Sequence, residues 1–444
     1  MAITDWWLGH ATTTTARVVL RTDTNGTPSV TCNGDTFTGS AISTATNDGV
    51  GVVDITGLSA GKRTAFTLTI GAESVTGHVK TFPETGSIKI GIIGCCVMQR
   101  HNPAIEELYA KGIDALYTIG DMPYCEDLTN ANGITCSPGS SVPTLANMEA
   151  INRANHNNIQ LKRISQNIPL YKMWDDHELF GDDWDHTVAS CNDVSAIATD
   201  TADVADFFEI CQKAWSAYAQ GNPSNSDAEA TPTKPNSSPD GDATRYPVQY
   251  FRHTLGAAEI FVTDSISHKT ENTATDNASK TMYGSAQKAW FKKYVSESSK
   301  DFKIAIDSKS LFRNTGSPKG DSWNKFTTER NEIWDQILNT DGTTGVLHIG
   351  SDDHVAIVSK ATTAVEGWDL VSICTGSGGT EHASIAITGP VLGQWGHLSD
   401  IQGNTGAIVE ITSDYLQISI INGVGSTLFQ KRILSGSNDL SGVT

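Results

Sequence analysis

Four ionisable side chains follow the apolar run 168–174 without a break: Asp175, Asp176, His177 and Glu178. The run has the length and composition of a buried strand, which would bring all four groups to one of its ends. Carboxylates held this close together repel one another and take up protons unless a cation compensates their charge. A divalent or trivalent metal ion does this best. The same aspartates could instead cap a helix and favour its positive end, and this stretch alone supports both interpretations equally.

A carboxylate and a phenol lie three residues apart at Asp121 and Tyr124, just after the apolar run 115–119. Phenolate is a hard anionic ligand that suits trivalent iron, and a carboxylate can bridge two metal ions. Taken alone, the pair is explained more simply by an aspartate in a turn beside a tyrosine of the core.

Six apolar runs end in polar or ligand-type residues: 88–93, 115–119, 168–174, 259–263, 302–306 and 345–349. Helical segments lie between them, and this alternation predicts a layered α/β domain. In open α/β sheets, ligands bind outside the carboxyl ends of the strands. Core packing explains the apolar runs but not the chemistry of their ends, so the pattern favours an active site over helix capping.

A different pattern covers residues 1–84. Short β-rich runs such as 15–22 and 50–55 alternate with turn signals, among them Asn25-Gly26 and Asp48-Gly49. This spacing predicts a small β-sandwich of the fibronectin or immunoglobulin type. The division is therefore a β-sandwich over 1–84 and a catalytic domain over 85–444.

Composition limits the classes of partner. The formal net charge of -19 argues against a nucleic-acid-binding surface, because phosphate contacts need a basic face. The sequence has no apolar run of about 18 residues, so no transmembrane segment is predicted. A small-molecule substrate and a monomer are expected.

The N-terminus and the cysteines bear on the compartment. The first residues lack a basic region followed by an apolar one, so the protein is either intracellular or a mature form without its leader. Two local disulfides would suit an oxidising compartment, Cys125 with Cys136 and Cys191 with Cys211, but the eight cysteines could equally be buried thiols. We predict a periplasmic or extracellular protein.

Several motifs together resemble the alkaline phosphatase D (PhoD-like) family of binuclear metallophosphoesterases. The resemblance extends from about residue 6 to residue 374, and its most specific part is Trp-Asp-Asp-His-Glu. The main motifs are Cys95-Cys96, Gly120-Asp121-x-x-Tyr124, Trp174-Asp175-Asp176-His177-Glu178 and Asp352-Asp353-His354; weaker matches are Phe261 to Asp264, Gln287 to Tyr294, and Asp321-Ser322-Trp323 with Arg330.

The resemblance implies a fold, a metal site and a reaction. The fold would be a metallophosphoesterase-type layered α/β domain, with two β-sheets flanked by helices, preceded by the β-sandwich. Iron(III) and calcium would be the metals, and the reaction would be hydrolysis of phosphate mono- or diesters by in-line attack of a metal-bound hydroxide. Six metal ligands are implied: Cys96, Asp121, Tyr124, Asp176, Asp352 and His354. His177 would be the general acid, with Asp176 also in the catalytic set.

The chain departs from the family pattern at several positions. Gly181-Asp182-Asp183 stands where the family often has Asn, and Ser265-Ile266 replaces a common Thr-Arg pair. Arg153 is the candidate to supply the missing phosphate-binding guanidinium. These departures also motivate an alternative, in which a degenerate phosphoesterase scaffold serves as a surface-binding module.

Overall fold

The computed structural model describes residues 3–96, 102–124, 144–179, 184–185, 201–223, 249–312, 321–362, 366–376, 391–395 and 404–441. Within these ranges the strands form two small sheets and two large ones. In this part of the chain no helix is both long enough and apolar enough to cross a membrane.

The first seven strands form a three-stranded sheet and a four-stranded sheet, both antiparallel. In many of them exposed and buried residues alternate, as expected for strands with one face against a core. They are β1 (Ile3–Ala11), β2 (Ala16–Thr22), β3 (Ser29–Cys32), β4 (Asp35–Thr38), β5 (Val50–Ile55), β6 (Arg63–Ile70) and β7 (Glu73–Lys80). The sheet orders are β1-β2-β5 and β4-β3-β6-β7.

Fourteen further strands build the two large sheets. They are β8 (Ile88–Ile93), β9 (Ala115–Ile119), β10 (Leu170–Met173), β11 (Phe251–Leu255), β12 (Ala258–Val262), β13 (Phe302–Lys309), β14 (Val346–Ser351), β15 (Ala356–Ala361), β16 (Leu370–Thr375), β17 (Val391–Trp395), β18 (Thr405–Ile411), β19 (Tyr415–Asn422), β20 (Thr427–Leu434) and β21 (Leu440–Ser441).

Each large sheet has seven strands and a parallel portion. The orders are β10-β9-β8-β18-β19-β20-β21 and β11-β12-β13-β14-β16-β15-β17. Strands β8, β9 and β10 are parallel, as are β12, β13, β14 and β16. The carboxyl ends of the parallel strands therefore lie at one edge of each sheet, where ligands bind in such folds.

Helices complete the predicted layered architecture. They are α1 (Pro103–Ala110), α2 (Leu145–His156), α3 (Ile159–Ser165), α4 (Thr201–Tyr218), α5 (Gly284–Glu297) and α6 (Thr327–Asp335), with 3₁₀ turns at Asn47–Gly49, Asp176–Leu179 and Trp323–Lys325 and a π-helical turn at Gln336–Thr340. Residues 144–166, where the sequence predicts a helical segment between the apolar runs 115–119 and 168–174, contain two helices. Asn158 separates them, because its side chain accepts hydrogen bonds from the backbone N–H groups of Gln160 and Leu161 and so starts a new helix.

A single hydrophobic cluster joins the two large sheets and the β-sandwich. It includes Phe66 of the sandwich, Ile92 and Tyr171 of the first large sheet, and Ile260 and Ile306 of the second. The sheets therefore pack face to face, and the division of the chain at residue 84 stays a prediction.

Candidate active site

Residues from the ends of four strands, β8, β9, β10 and β14, meet in one buried place. Three overlapping sets of side chains each have ligand atoms within 4.8 Å of one another: Cys95, Asp121 and His354; Asp121, Asp176 and His177; and Asp121, Asp175, Asp176 and Asp352. Asp121 belongs to all three sets and is fully buried. A carboxylate in this central position can bridge two metal ions.

The backbone at these strand ends is unusual. Four residues of the site have left-handed φ angles: Cys95 at 52°, Asp121 at 55°, Asp352 at 75° and His354 at 52°. Non-glycine residues rarely adopt this conformation, and it persists where the surrounding structure enforces it, often at functional sites. The strand ends thus turn sharply so that consecutive side chains point in different directions.

Gly120 allows two of these ends to approach. Its φ is 95°, and a Cβ atom there would lie 2.6 Å from the Cβ of Asp175. A side chain at this position would therefore force the end of β9 away from the end of β10.

Glu178 ties the same two strand ends together. Its carboxylate accepts hydrogen bonds from the backbone N–H groups of Asp121 and Met122, both at 3.0 Å, and of Asp175 at 2.8 Å. Burial raises the pKa of Glu178 to about 7, against these hydrogen bonds, which favour the charged form. The motif residue Glu178 therefore supports the ligands by binding their backbone.

Two neighbouring aspartates need positive charge. Burial raises the pKa of Asp121 well above its usual value; the nearby carboxylates add to this shift, and His177 opposes it. Burial also raises the pKa of Asp175, although Lys309 opposes the shift. Buried oxygen donors with this charge imbalance, joined by imidazole and phenol groups, suit hard metal ions. The residues present therefore fit a metal site.

The aromatic side of the site contains Tyr124, His177 and His354. The Tyr124 hydroxyl lies 3.0 Å from Nε2 of His354, and its ring lies 4.1 Å from the His177 ring, centroid to centroid. The backbone N–H of His177 donates to Asp121 at 3.3 Å. The structure thus brings Asp121, Asp176, His177, Asp352 and His354 together, with Tyr124 in contact with both histidines.

The structure differs from the prediction at Cys96. The Cys96 Sγ lies 3.3 Å from the carbonyl oxygen of Gly94, within an apolar cluster that includes Ile105. The Cys95 Sγ lies instead 3.5 Å from Oδ2 of Asp121. The left-handed turn at Cys95 sends the two side chains in different directions, so Cys95 is the thiol that reaches the metal-ligand set.

Arg153 also lies in a different place from the one predicted. Its Nε donates to Asp48 Oδ2 at 3.0 Å, and Arg21 donates to the same oxygen at 3.0 Å. Because Asp48 is a buried carboxylate of the β-sandwich, it requires such partners. Arg153 therefore connects α2 to the β-sandwich rather than contacting the ligand set.

Sequence reasoning assigned no role to Cys95, Glu178 or Lys309. Nothing in the sequence distinguishes the two adjacent cysteines from each other. Lys309 could have been identified as a site residue, because it follows the apolar run 302–306 closely, as the other site residues follow theirs. Some predicted residues lie outside the described ranges: Asp182, Asp183, Cys125, Cys136 and Cys191.

Two packed sheets whose strand ends present buried carboxylates, imidazoles and a phenol define the metallophosphoesterase class of fold. The family model for the PhoD-like phosphatases matches residues 93–411. The chain belongs to the PhoD-like phosphatase family and is a phosphoesterase, as its motifs predicted.

Known structures support the same fold. A structure of PhoD covers 99% of this chain and 91% of its own length, with a TM-score of 0.75 and 13% identity. A purple acid phosphatase from seeds of yellow lupin, Lupinus luteus, covers 97% of this chain and 74% of its own length, with a TM-score of 0.62 and 10% identity. Sequence comparison with curated proteins gives no match. At these identities, the likeness establishes the fold.

Proposed function

We propose that this chain hydrolyses small phosphate mono- and diesters by in-line displacement at phosphorus, with two metal ions that would be held by a set of ligands centred on Asp121. The observation that carries the proposal is the place of Asp121 in all three sets of candidate ligands. Phosphoester hydrolysis itself follows from the family; the metals, the mechanism and the substrates are the proposal.

Iron(III) and calcium are the proposed metals. Cys95, Tyr124 and His354, with Asp121, would hold the iron, because thiolate and phenolate are strong anionic donors for a trivalent ion. Asp176 and Asp352, again with Asp121, would hold the calcium, which prefers oxygen donors. When bound, the two ions would lower the pKa of a coordinated water and neutralise charge on the phosphoryl oxygens.

His177 is the proposed proton donor. It is among the more exposed members of the buried group, at 9%, so it can face an entering substrate. The tilted ring contact with Tyr124 and the backbone hydrogen bond to Asp121 fix its position. An imidazole held there can give a proton to the leaving oxygen, a contribution of about 10²–10⁴ in rate.

The inner wall of the site, with Asp121 and Asp176, is inaccessible to bulk solvent. Asp176 is fully buried and Asp352 is only 4% exposed. Low water content strengthens electrostatic interactions with the charge that develops on a phosphoryl group.

A periplasmic or extracellular monomer remains the proposed state of the enzyme.

The test is a hydrolysis assay on purified protein with nitrophenyl phosphate and bis-nitrophenyl phosphate, combined with metal analysis. We expect iron and a second metal in the protein, and hydrolysis that falls when a chelator removes them and returns when they are restored. Hydrolysis that persists after complete metal removal would refute the mechanism. Protein that contains neither metal and is inactive after both are added would instead support the alternative of a binding module.

A further inference from the structure

Lys309, at the last position of β13, is fully buried beside the site. Its Nζ lies 2.9 Å from Asp175 Oδ1, 3.5 Å from Asp352 Oδ1 and 3.6 Å from Asp176 Oδ2, and it contacts Asp321 more closely still. One ammonium group therefore lies among four carboxylates that come from different parts of the chain.

Two of these carboxylates, Asp176 and Asp352, are proposed metal ligands, and two, Asp175 and Asp321, are not. Lys309 is closest to the two that are not. It would therefore keep these two partners when a metal ion takes the other two. A second buried lysine, Lys269, lies 3.9 Å from Asp321 and adds positive charge behind the first.

We propose that Lys309 is a positioning residue: a built-in counter-cation that assembles the acidic wall of the site before metal binds. The inference rests on the proposed two-metal function. Without an internal cation, carboxylates buried this close together repel one another, and removal of one member of a buried ion pair leaves an uncompensated charge. Lys309 makes the ligands available as a preformed set, so that metal binding does not have to order them.

The stability of the protein should therefore depend on Lys309 more in the metal-free state than in the metal-loaded state. In the metal-free protein it is, among the described residues, the ammonium closest to all four carboxylates, whereas in the loaded protein the metals would neutralise Asp176 and Asp352. Replacing Lys309 by Met should therefore destabilise the metal-free protein more than the loaded protein. Loss of a lysine that serves only to fill space would affect both states equally.

Lys172 offers a matched control. It is also buried, at 3% exposure, on β10 of the other large sheet, but its ammonium lies 4.5 Å from the ring centroid of Trp215 and 5.6 Å from that of Tyr218. Lys172→Met removes a buried lysine that packs against aromatic rings. Its effect on the melting temperature should be the same with and without metal.

The experiment measures thermal unfolding of the full chain before and after chelation, with metal content determined on each sample. For Lys309→Met we expect a melting temperature lower by about 5 °C or more in the metal-free state, from the usual cost of an unpaired buried charge. The loaded state should shift by less than half as much. The double variant Lys309→Met/Asp175→Asn should recover part of the loss, since it also removes the charge of one of the two carboxylates closest to Lys309.

Equal shifts in the two states would overturn the inference while leaving the two-metal proposal intact. If Lys309→Met does not fold in either state, the double variant decides: recovery of folding supports the inference and no recovery overturns it. Wild-type protein that binds neither calcium nor iron would refute the proposed function itself, and metal analysis detects this without any variant.

Discussion

Glu178 offers the sharpest test of how the ligands are held. Its buried carboxylate accepts three backbone hydrogen bonds, from Asp121, Met122 and Asp175. Glu178→Ala would leave three buried N–H groups without this acceptor at the junction of two strand ends. Because one of them belongs to Asp121, whose φ is 55°, the variant should weaken metal binding as well as stability.

The magnitude follows from the number of hydrogen bonds. A buried donor that loses its acceptor costs about 1–3 kcal/mol, so Glu178→Ala should lower the free energy of unfolding by about 3–6 kcal/mol when partial relaxation is allowed for. Glu178→Gln keeps one acceptor oxygen. It can preserve the two bonds that share Oε2, so its cost should be about 1–3 kcal/mol.

The assay combines denaturant unfolding with metal content per chain. Gln287→Ala is the control, because the Gln287 side chain binds the backbone N–H and carbonyl of Asp264, each at 2.7 Å, on a strand end outside the ligand set. The control should lose stability but retain its metal. If Glu178→Ala keeps full metal content and loses less than about 1 kcal/mol, Glu178 does not support the ligands in this way.

Three further outcomes are expected. Tyr124→Phe should abolish a visible phenolate-to-iron absorption band of the purified enzyme; a band that persists would exclude Tyr124 as an iron ligand. Arg153→Ala should destabilise the fold by about 1–3 kcal/mol, since it breaks the bond to Asp48, and should leave KM for nitrophenyl phosphate unchanged; a large rise in KM would restore Arg153 as a substrate-binding residue. Acid should destabilise the protein through His10, because burial lowers its pKa from 6.5 to about 4. The unfolded chain then binds a proton that the folded chain does not, so the free energy of unfolding falls by up to about 3 kcal/mol as the pH decreases from about 6.5 to about 4. His10→Phe should reduce the pH dependence of the free energy of unfolding, measured by urea unfolding between pH 7 and pH 4. The same pH dependence in the variant and the wild type would contradict the assignment to His10.

The chemistry of the site was predictable because each motif is local. Asp121 with Tyr124, and Asp176 with His177, lie within a few residues of a strand end, where a short segment of sequence contains both the apolar run and the polar groups that follow it. Parallel strands then bring these ends to one edge of a sheet. His354, which follows a strand of the other sheet, lies in the same cluster in the structure, and its role as a ligand stays a prediction.

Other features depend on contacts between distant segments. The closing strand β18 lies beside β8 in the first large sheet, pairing Ile408 with Gly91, although 317 residues separate the two. Short-range patterns identify such strands but do not specify their partners. Arg153 was misplaced for a similar reason, since its partner Asp48 lies in the β-sandwich, 105 residues earlier.

The sequence by itself determined which kinds of ligand stand at the strand ends, and through them the family and the reaction class. The tertiary structure decided which atoms meet. It selected Cys95 over Cys96, because the left-handed turn at Cys95 sets the direction of each side chain, and it placed Lys309 among carboxylates from different parts of the chain. Side-chain direction at a strand end depends on the local φ angle, and charge compensation depends on packing between the two sheets; neither is encoded in the spacing of a motif.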